Sequence, residues 1–221
     1  MQHRLLRQEI IDTARKMNAA GINQGMSGNL SVRLSDRFLI TPSGMSYDGM
    51  RPEDVVEMSL DGRVIGMGRP SSEWLFHRDI YGARCDVSAV LHAHPKDATA
   101  IACLRRDIPA FHYMVAVAGG DSIRCAPYAT YGTQELSNHA IAALIDRRAC
   151  LLANHGVIVL GDDLSAALDL AIELEALAAQ YLRALQVGEP VLLTAAEMAE
   201  VFERFASYRG GHKRQPSTRG Y

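Results

Sequence analysis

The chain has 221 residues, 23 Lys and Arg against 25 Asp and Glu, a net charge of −2 and 48% hydrophobic residues. That size and apolar content fit one large globular domain or two small ones, and the near-zero charge gives no electrostatic reason to bind nucleic acid or an acidic membrane. No apolar run approaches the roughly 20 residues needed to span a bilayer.

The N-terminal stretch Met1-Gln2-His3-Arg4-Leu5-Leu6-Arg7 turns charged too early for a signal peptide, so a cytoplasmic location is expected. Cys85, Cys103, Cys125 and Cys150 are scattered without a Cys-x-x-Cys pair, which predicts free thiols of a reducing compartment. Lysine occurs only at 16, 96 and 213, which limits Schiff-base chemistry.

The spacing of Leu5, Leu6, Ile10, Ala14 and Met17 predicts an amphipathic helix over 2–20, stopped by Gly21. A glycine-rich turn at 25–29 leads into a strand over 30–34, and Ser35-Asp36 turns it into a return strand over 38–40. Thr41-Pro42-Ser43-Gly44 is a second small-residue turn, and 55–59 with 64–65 form another hairpin about Asp61-Gly62. Pro70-Ser71-Ser72-Glu73 opens a helix through about Tyr81, with Ser71 or Ser72 as N-cap and Glu73 in the first turn. Val87 to His94 reads as a buried strand closed by Pro95, and 95–104 as a helix.

The segment 111–117 is apolar and ends at Gly119-Gly120, and 133–145 is helical. Two apolar strands, 150–153 and 157–160, flank the turn Asn154-His155-Gly156. Asp162 or Asp163 caps a long helix to about Gln186, and a last helix spans 194–208. Residues 1–209 are expected to form one α/β domain with a largely antiparallel sheet, and 210–221 a disordered polar tail.

His92 and His94 carry the most specific chemical signal. Side chains two apart on a strand share a face, so both imidazoles can converge on one metal ion. Taken alone, such a pair more often marks a wet strand face or core histidines held by hydrogen bonds. His155, in a tight turn, would complete the three-histidine set of catalytic zinc sites that keep an open position. Glu73 is either a first-turn glutamate favoured by the helix dipole or a carboxylate beside the metal, serving as ligand or general base. His77 follows Glu73 by one turn on the same helix face. Gly28-Asn29, Ser43-Gly44 and Ser71-Ser72 are ordinary turns individually. Together they offer phosphate-sized sets of hydroxyl, amide and backbone N–H donors, the last at a helix N-terminus.

Gly28-Asn29, Thr41-Pro42-Ser43-Gly44, Pro70-Ser71-Ser72-Glu73, His92-Ala93-His94 and Asn154-His155-Gly156, in this order and at these intervals, resemble the class II aldolase/adducin head family. Within it they are most similar to the bacterial L-fuculose-1-phosphate aldolase branch. The resemblance runs from the first helix to about Tyr208. It implies an α/β/α layered domain in which His92, His94 and His155 bind one Zn²⁺, with Mn²⁺ or Co²⁺ as substitutes. It implies Glu73 as the acid/base and Gly28, Asn29, Ser43, Gly44, Ser71 and Ser72 as the substrate-phosphate site. Tyr113 matches a tyrosine that acts from a neighbouring subunit, and Phe205 and Tyr208 match C-terminal aromatics near the site. The implied assembly is a homotetramer with sites at subunit interfaces.

The activity implied is reversible cleavage of a ketose 1-phosphate, such as L-fuculose 1-phosphate or a 5-deoxyketose 1-phosphate, to dihydroxyacetone phosphate and a small aldehyde. A pentulose-phosphate 4-epimerase and a methylthioribulose-1-phosphate dehydratase are alternatives on the same fold; the epimerase branch tends to carry aspartate where Glu73 stands. A non-enzymatic interaction module, as in adducin heads, is disfavoured by the three histidines and Glu73. Lys96, the lysine next to the His-x-His strand, starts a helix and is expected to face solvent, away from Schiff-base chemistry.

Overall fold

The computed structural model describes residues 2–212. Eight strands form one sheet in the order β4-β3-β2-β1-β5-β8-β7-β6. The first hairpin is β1 (Asn29–Arg33) with β2 (Arg37–Ile40), and the second is β3 (Val56–Ser59) with β4 (Val64–Ile65). The sheet is completed by β5 (Ala89–Ala93), β6 (Arg124–Ala126), β7 (Ala149–Leu152) and β8 (Gly156–Gly161). Every pairing is antiparallel except β6 with β7.

Helices cover both faces, because each strand in the middle of the sheet is apolar on both. On one face lie α1 (Arg4–Ala19), α3 (Lys96–Cys103) and α5 (Leu164–Val187), packed over Leu30, Leu39, Leu91, Leu151 and Val159. The buried stripe of α5 runs Leu164, Leu168, Ala171, Leu174, Ala178 and Tyr181, the three-and-four spacing of a helix with one core face. Each leucine fully buried there contributes about 1.5–3 kcal/mol. The other face carries α2 (Trp74–Ala83) and α4 (Gln134–Ala143), packed over Phe38, Val56, Val90, Cys150 and Ile158. The last helix, α6 (Ala195–His212), packs with a short 3-10 helix over Tyr113–Ala118, burying Met198 against Ala110 and Ala116. No helix among the described residues is long and apolar enough to cross a membrane.

The expected elements recur with four differences. Strand β6 was not anticipated: three residues at a sheet edge are too short to show a period. The apolar 111–117 segment forms the 3-10 helix. Helix α2 begins at Trp74, so Glu73 is the N-cap residue and not a member of the first turn; its side chain caps nothing, and the Ser71 hydroxyl instead accepts from the Glu73 N–H at 3.3 Å. Helix α6 runs on to His212, past the expected start of the tail, and the rest of that tail lies outside the described residues.

One side of β1 departs from the apolar rule. Leu30 and Val32 face α1, but Asn29, Ser31 and Arg33 alternate onto the α2 face. Arg33 closes the C-terminal end of α2, donating to the Tyr81 and Arg84 carbonyls at 2.6 and 2.7 Å. That strand face turns polar where the candidate site begins.

Candidate active site

Register brings the site together. Asn29 on β1 pairs with His92 on β5, and His92 pairs with Ile158 on β8, so Asn29 and His92 lie side by side on neighbouring central strands. His94 follows β5 directly, where Pro95 ends the strand and starts α3. His155 occupies the β7–β8 turn. Asn154 before it adopts a left-handed φ of 55°, a conformation asparagine tolerates, and its N–H donates to the Ala102 carbonyl at 3.0 Å. Gly156 after it is required by space: a Cβ there would sit 2.4 Å from the Ala93 carbonyl oxygen and 2.6 Å from the His94 ring.

The three imidazoles converge. Ring centroids of His92, His94 and His155 lie 4.8–5.0 Å apart, and one nitrogen from each falls within 4.8 Å of the others. His92 is fully buried, and its Nδ1–H donates to the Val157 carbonyl at 2.8 Å. That bond fixes the ring and leaves Nε2 aimed into the cluster, 3.0 Å from Nε2 of His94. Glu73 reaches in from the start of α2, with Oε2 3.1 Å from His92 Nε2 and Oε1 3.3 Å from His155 Nε2. Oε1 is buried and has no hydrogen-bond partner in good geometry.

Charge at this cluster is divided unequally. Burial alone would push the Glu73 carboxyl up, but His92, His155 and the Asn29 amide outweigh it and hold it at about 2. Burial likewise opposes a proton on His92, and the Glu73 charge overcomes it, raising that imidazole above its ordinary value. Burial, with the charge of His92 beside them, pushes His94 and His155 down to about 4. Two neutral imidazoles, a third whose ring is fixed by a backbone carbonyl, and a buried carboxylate with an orphaned oxygen form a donor set suited to a divalent cation.

The three small-residue turns also meet. The Leu30 N–H donates to Thr41 Oγ1 at 3.2 Å, Ser71 N–H to the Thr41 carbonyl at 3.0 Å, and Ser43 N–H to the Arg69 carbonyl at 3.0 Å. Asn29, the 41–44 turn and the 70–73 turn are therefore one joined scaffold. Three backbone donors, the N–H groups of Leu30, Ser43 and Ser71, are consumed in building it, while Gly44 and Ser72 stay exposed. Gly28 is packed under the site, its carbonyl accepting from the Tyr47 hydroxyl. Asn29 is more engaged than its sequence position suggested: Nδ2 donates to Glu73 Oε2 at 3.0 Å, and Oδ1 meets His77 Nε2 at 2.5 Å. His77 is fully buried, and burial pushes its imidazole down to about 3. Nothing in the sequence distinguished it beyond its place one turn after Glu73.

Tyr113 stands apart. It is 51% exposed at the start of the 3-10 helix, its ring 4.8 Å from His112 and 6.4 Å from Phe205. Its hydroxyl does not join the hydrogen bonds of the histidine cluster among the described residues. The Tyr208 side chain lies outside the described residues.

The layered fold thus gathers three histidines and a glutamate at one end of its central strands. The chain belongs to the class II aldolase and adducin N-terminal domain family, whose model matches residues 8–182. It is 53% identical over 212 residues to a 5-methylthioribulose-1-phosphate/5-deoxyribulose-1-phosphate aldolase of Rhodospirillum rubrum, covering 96% of each chain. It is 46% identical over 209 residues to the L-fuculose phosphate aldolase of Escherichia coli, covering 94% of this chain and 97% of that one. A solved L-fuculose 1-phosphate aldolase superposes with a TM-score of 0.90 at 42% identity, over 93% of this chain and 98% of the other.

Proposed function

We propose that this protein is a divalent-metal-dependent aldolase that reversibly cleaves a ketose 1-phosphate between C3 and C4, giving dihydroxyacetone phosphate and a small aldehyde. The convergence of three imidazole nitrogens beside the Glu73 carboxylate carries this reading. His92, His94 and His155 would hold the ion, zinc in the first instance with manganese or cobalt as substitutes. Bound there, it supplies Lewis-acid stabilisation of the negative charge left on the dihydroxyacetone phosphate half.

The chain's own groups do the rest. Glu73 takes and returns the proton at C3 of the dihydroxyacetone phosphate half, held in place by Asn29. Ser43, Gly44, Ser71 and Ser72, with Gly28 and the second amide hydrogen of Asn29, grip the phosphate far from the bond that breaks. Binding energy there serves orientation. The nearby start of α2 favours an anion through its unpaired N–H groups. Tyr113, supplied by a neighbouring subunit, moves the proton of the C4 hydroxyl.

The aldehyde half is read from the relatives. The higher identity to the 5-methylthioribulose-1-phosphate/5-deoxyribulose-1-phosphate aldolase favours a 5-deoxy- or 5-methylthio-pentulose 1-phosphate over L-fuculose 1-phosphate. Assaying the metal-loaded protein on those three substrates tests this, with release of dihydroxyacetone phosphate as readout. The highest kcat/KM is expected on a five-carbon substrate. Comparable or better turnover of L-fuculose 1-phosphate would reverse the assignment.

We read the active unit as a cytoplasmic homotetramer with sites shared between subunits, supported by the exposure of Tyr113 away from its own cluster. Separately inactive Tyr113→Phe and Glu73→Gln proteins, dissociated and reassembled together, should regain activity, because some interfaces then carry both intact groups. Mixtures that stay as inactive as the parents would rule out a shared site.

A further inference from the structure

A line of buried polar groups runs away from Glu73 into the layer between β1 and α2. Glu73, His77 and Tyr81 recur every four residues along one face of α2, and Asn29 and Ser31 recur every two along one face of β1. The two stripes interdigitate. Asn29 bridges Glu73 and His77, at 3.0 and 2.5 Å. Ser31 Oγ bridges His77 Nδ1 at 2.6 Å and the Tyr81 hydroxyl at 2.8 Å. All five side chains are buried, and His77 and Ser31 are 0% exposed.

The chemistry of the groups sets the direction of every bond. A carboxylate only accepts, so Asn29 turns its NH₂ to Glu73 and its carbonyl oxygen to His77. That oxygen needs a donor, so the neutral His77 ring carries its proton on Nε2. Nδ1 is then bare and accepts from the Ser31 hydroxyl, whose oxygen in turn accepts from Tyr81. Beyond Glu73, each link pairs the buried polar atoms of Asn29, His77, Ser31 and Tyr81 that meet along the line, which is the arrangement low-dielectric surroundings enforce.

We propose that Tyr81, Ser31 and His77 are positioning residues: a buried chain of hydrogen bonds, each donated toward Glu73, that locks the orientation of Asn29 and through it aims the carboxylate. The proposal rests on the reading of Glu73 as the proton-transfer group. Without His77, the Asn29 carbonyl oxygen loses its donor and the amide is anchored at its NH₂ end alone. It is then free to rotate, and the carboxylate loses a fixed donor.

Two measurements test it. In protein labelled with ¹⁵N-histidine, long-range ¹H–¹⁵N spectra should show His77 as the neutral Nε2–H tautomer, its signals identified by their loss in His77→Gln. An Nδ1–H tautomer or a charged ring would overturn the chain. This arm needs no turnover, so it stands whatever the substrate proves to be. The second arm is kinetic. His77→Leu should lower kcat and the exchange of the dihydroxyacetone phosphate C3 proton by about 10- to 100-fold, the usual effect of cutting an outer partner of such a site. KM should change by less than about threefold and bound metal should be unaltered. His77→Gln, which keeps one donor and one acceptor, should recover most of the loss. Should His77→Leu fail to fold, Ser31→Ala removes only the far donor and is expected to lower kcat about 3- to 10-fold. Wild-type kcat in a folded variant of either kind would defeat the proposal. A wild-type protein that turns over no ketose phosphate would instead defeat the functional reading and leave the tautomer result to decide the chain.

Discussion

Replacing Glu73 with glutamine is expected to lower kcat by about 10²–10⁴-fold, the usual contribution of a general acid–base group. The amide is nearly isosteric and can still accept from Asn29 through its oxygen, so the local hydrogen bonding survives. The three imidazoles are untouched, and bound metal should remain near one per chain. KM should move much less than kcat, because the joined scaffold of the 41–44 and 70–73 turns is built from backbone bonds that the substitution does not reach. Exchange of the dihydroxyacetone phosphate C3 proton with solvent deuterium should fall in parallel, since that step uses no aldehyde and no Tyr113. Loss of the metal together with survival of exchange would mean that Glu73 is a ligand and that the base lies elsewhere. His77 could not then serve as the replacement base, being fully buried and committed to Asn29 and Ser31.

The second large effect is expected at His94. Of the three histidines it is the better one to remove. His92 is wholly buried and bonded to the Val157 carbonyl, so its loss would also open a core cavity. His94 is only partly buried, beyond the end of β5. His94→Ala should therefore fold with near-normal thermal stability while its zinc affinity falls by more than about 100-fold, beyond what disturbing an outer partner costs. Full metal content in that variant would sink the three-histidine site. The expected activity loss follows the metal and should be partly reversed by a large excess of zinc.

The parts of the site written in local patterns are legible in the sequence. Alternation along Ala89–Ala93 fixed the face of His92, Pro95 marked where the strand stops, and Asn154-His155-Gly156 was recognisable as a turn between apolar strands. The convergence of His155 on the other two was not local. It depends on β8 pairing with β5, a partnership between strands more than 60 residues apart. Glu73 was placed one position too deep in α2, because serine normally caps a helix and here the Ser71 hydroxyl serves the Glu73 N–H instead. The sequence marks a strand over 30–34 and carries no sign of what covers its polar face. Only the packing of α2 across it turns Asn29 and Ser31 into buried partners of Glu73 and His77. Strand β6 was missed because it is held by one parallel neighbour and not by a pattern of its own.

The most direct test of the metal-dependent aldolase reading is a single comparison of cleavage by stripped and restored protein. The protein is treated with a chelator until no metal is detected, then assayed on 5-deoxyribulose 1-phosphate before and after one equivalent of zinc per chain. Dihydroxyacetone phosphate release should be absent in the stripped protein and return in proportion to zinc bound, reaching its limit at one ion per three-histidine cluster. Release at an unchanged rate from the metal-free protein, or conversion of the substrate to its C4 epimer with no dihydroxyacetone phosphate, would contradict it.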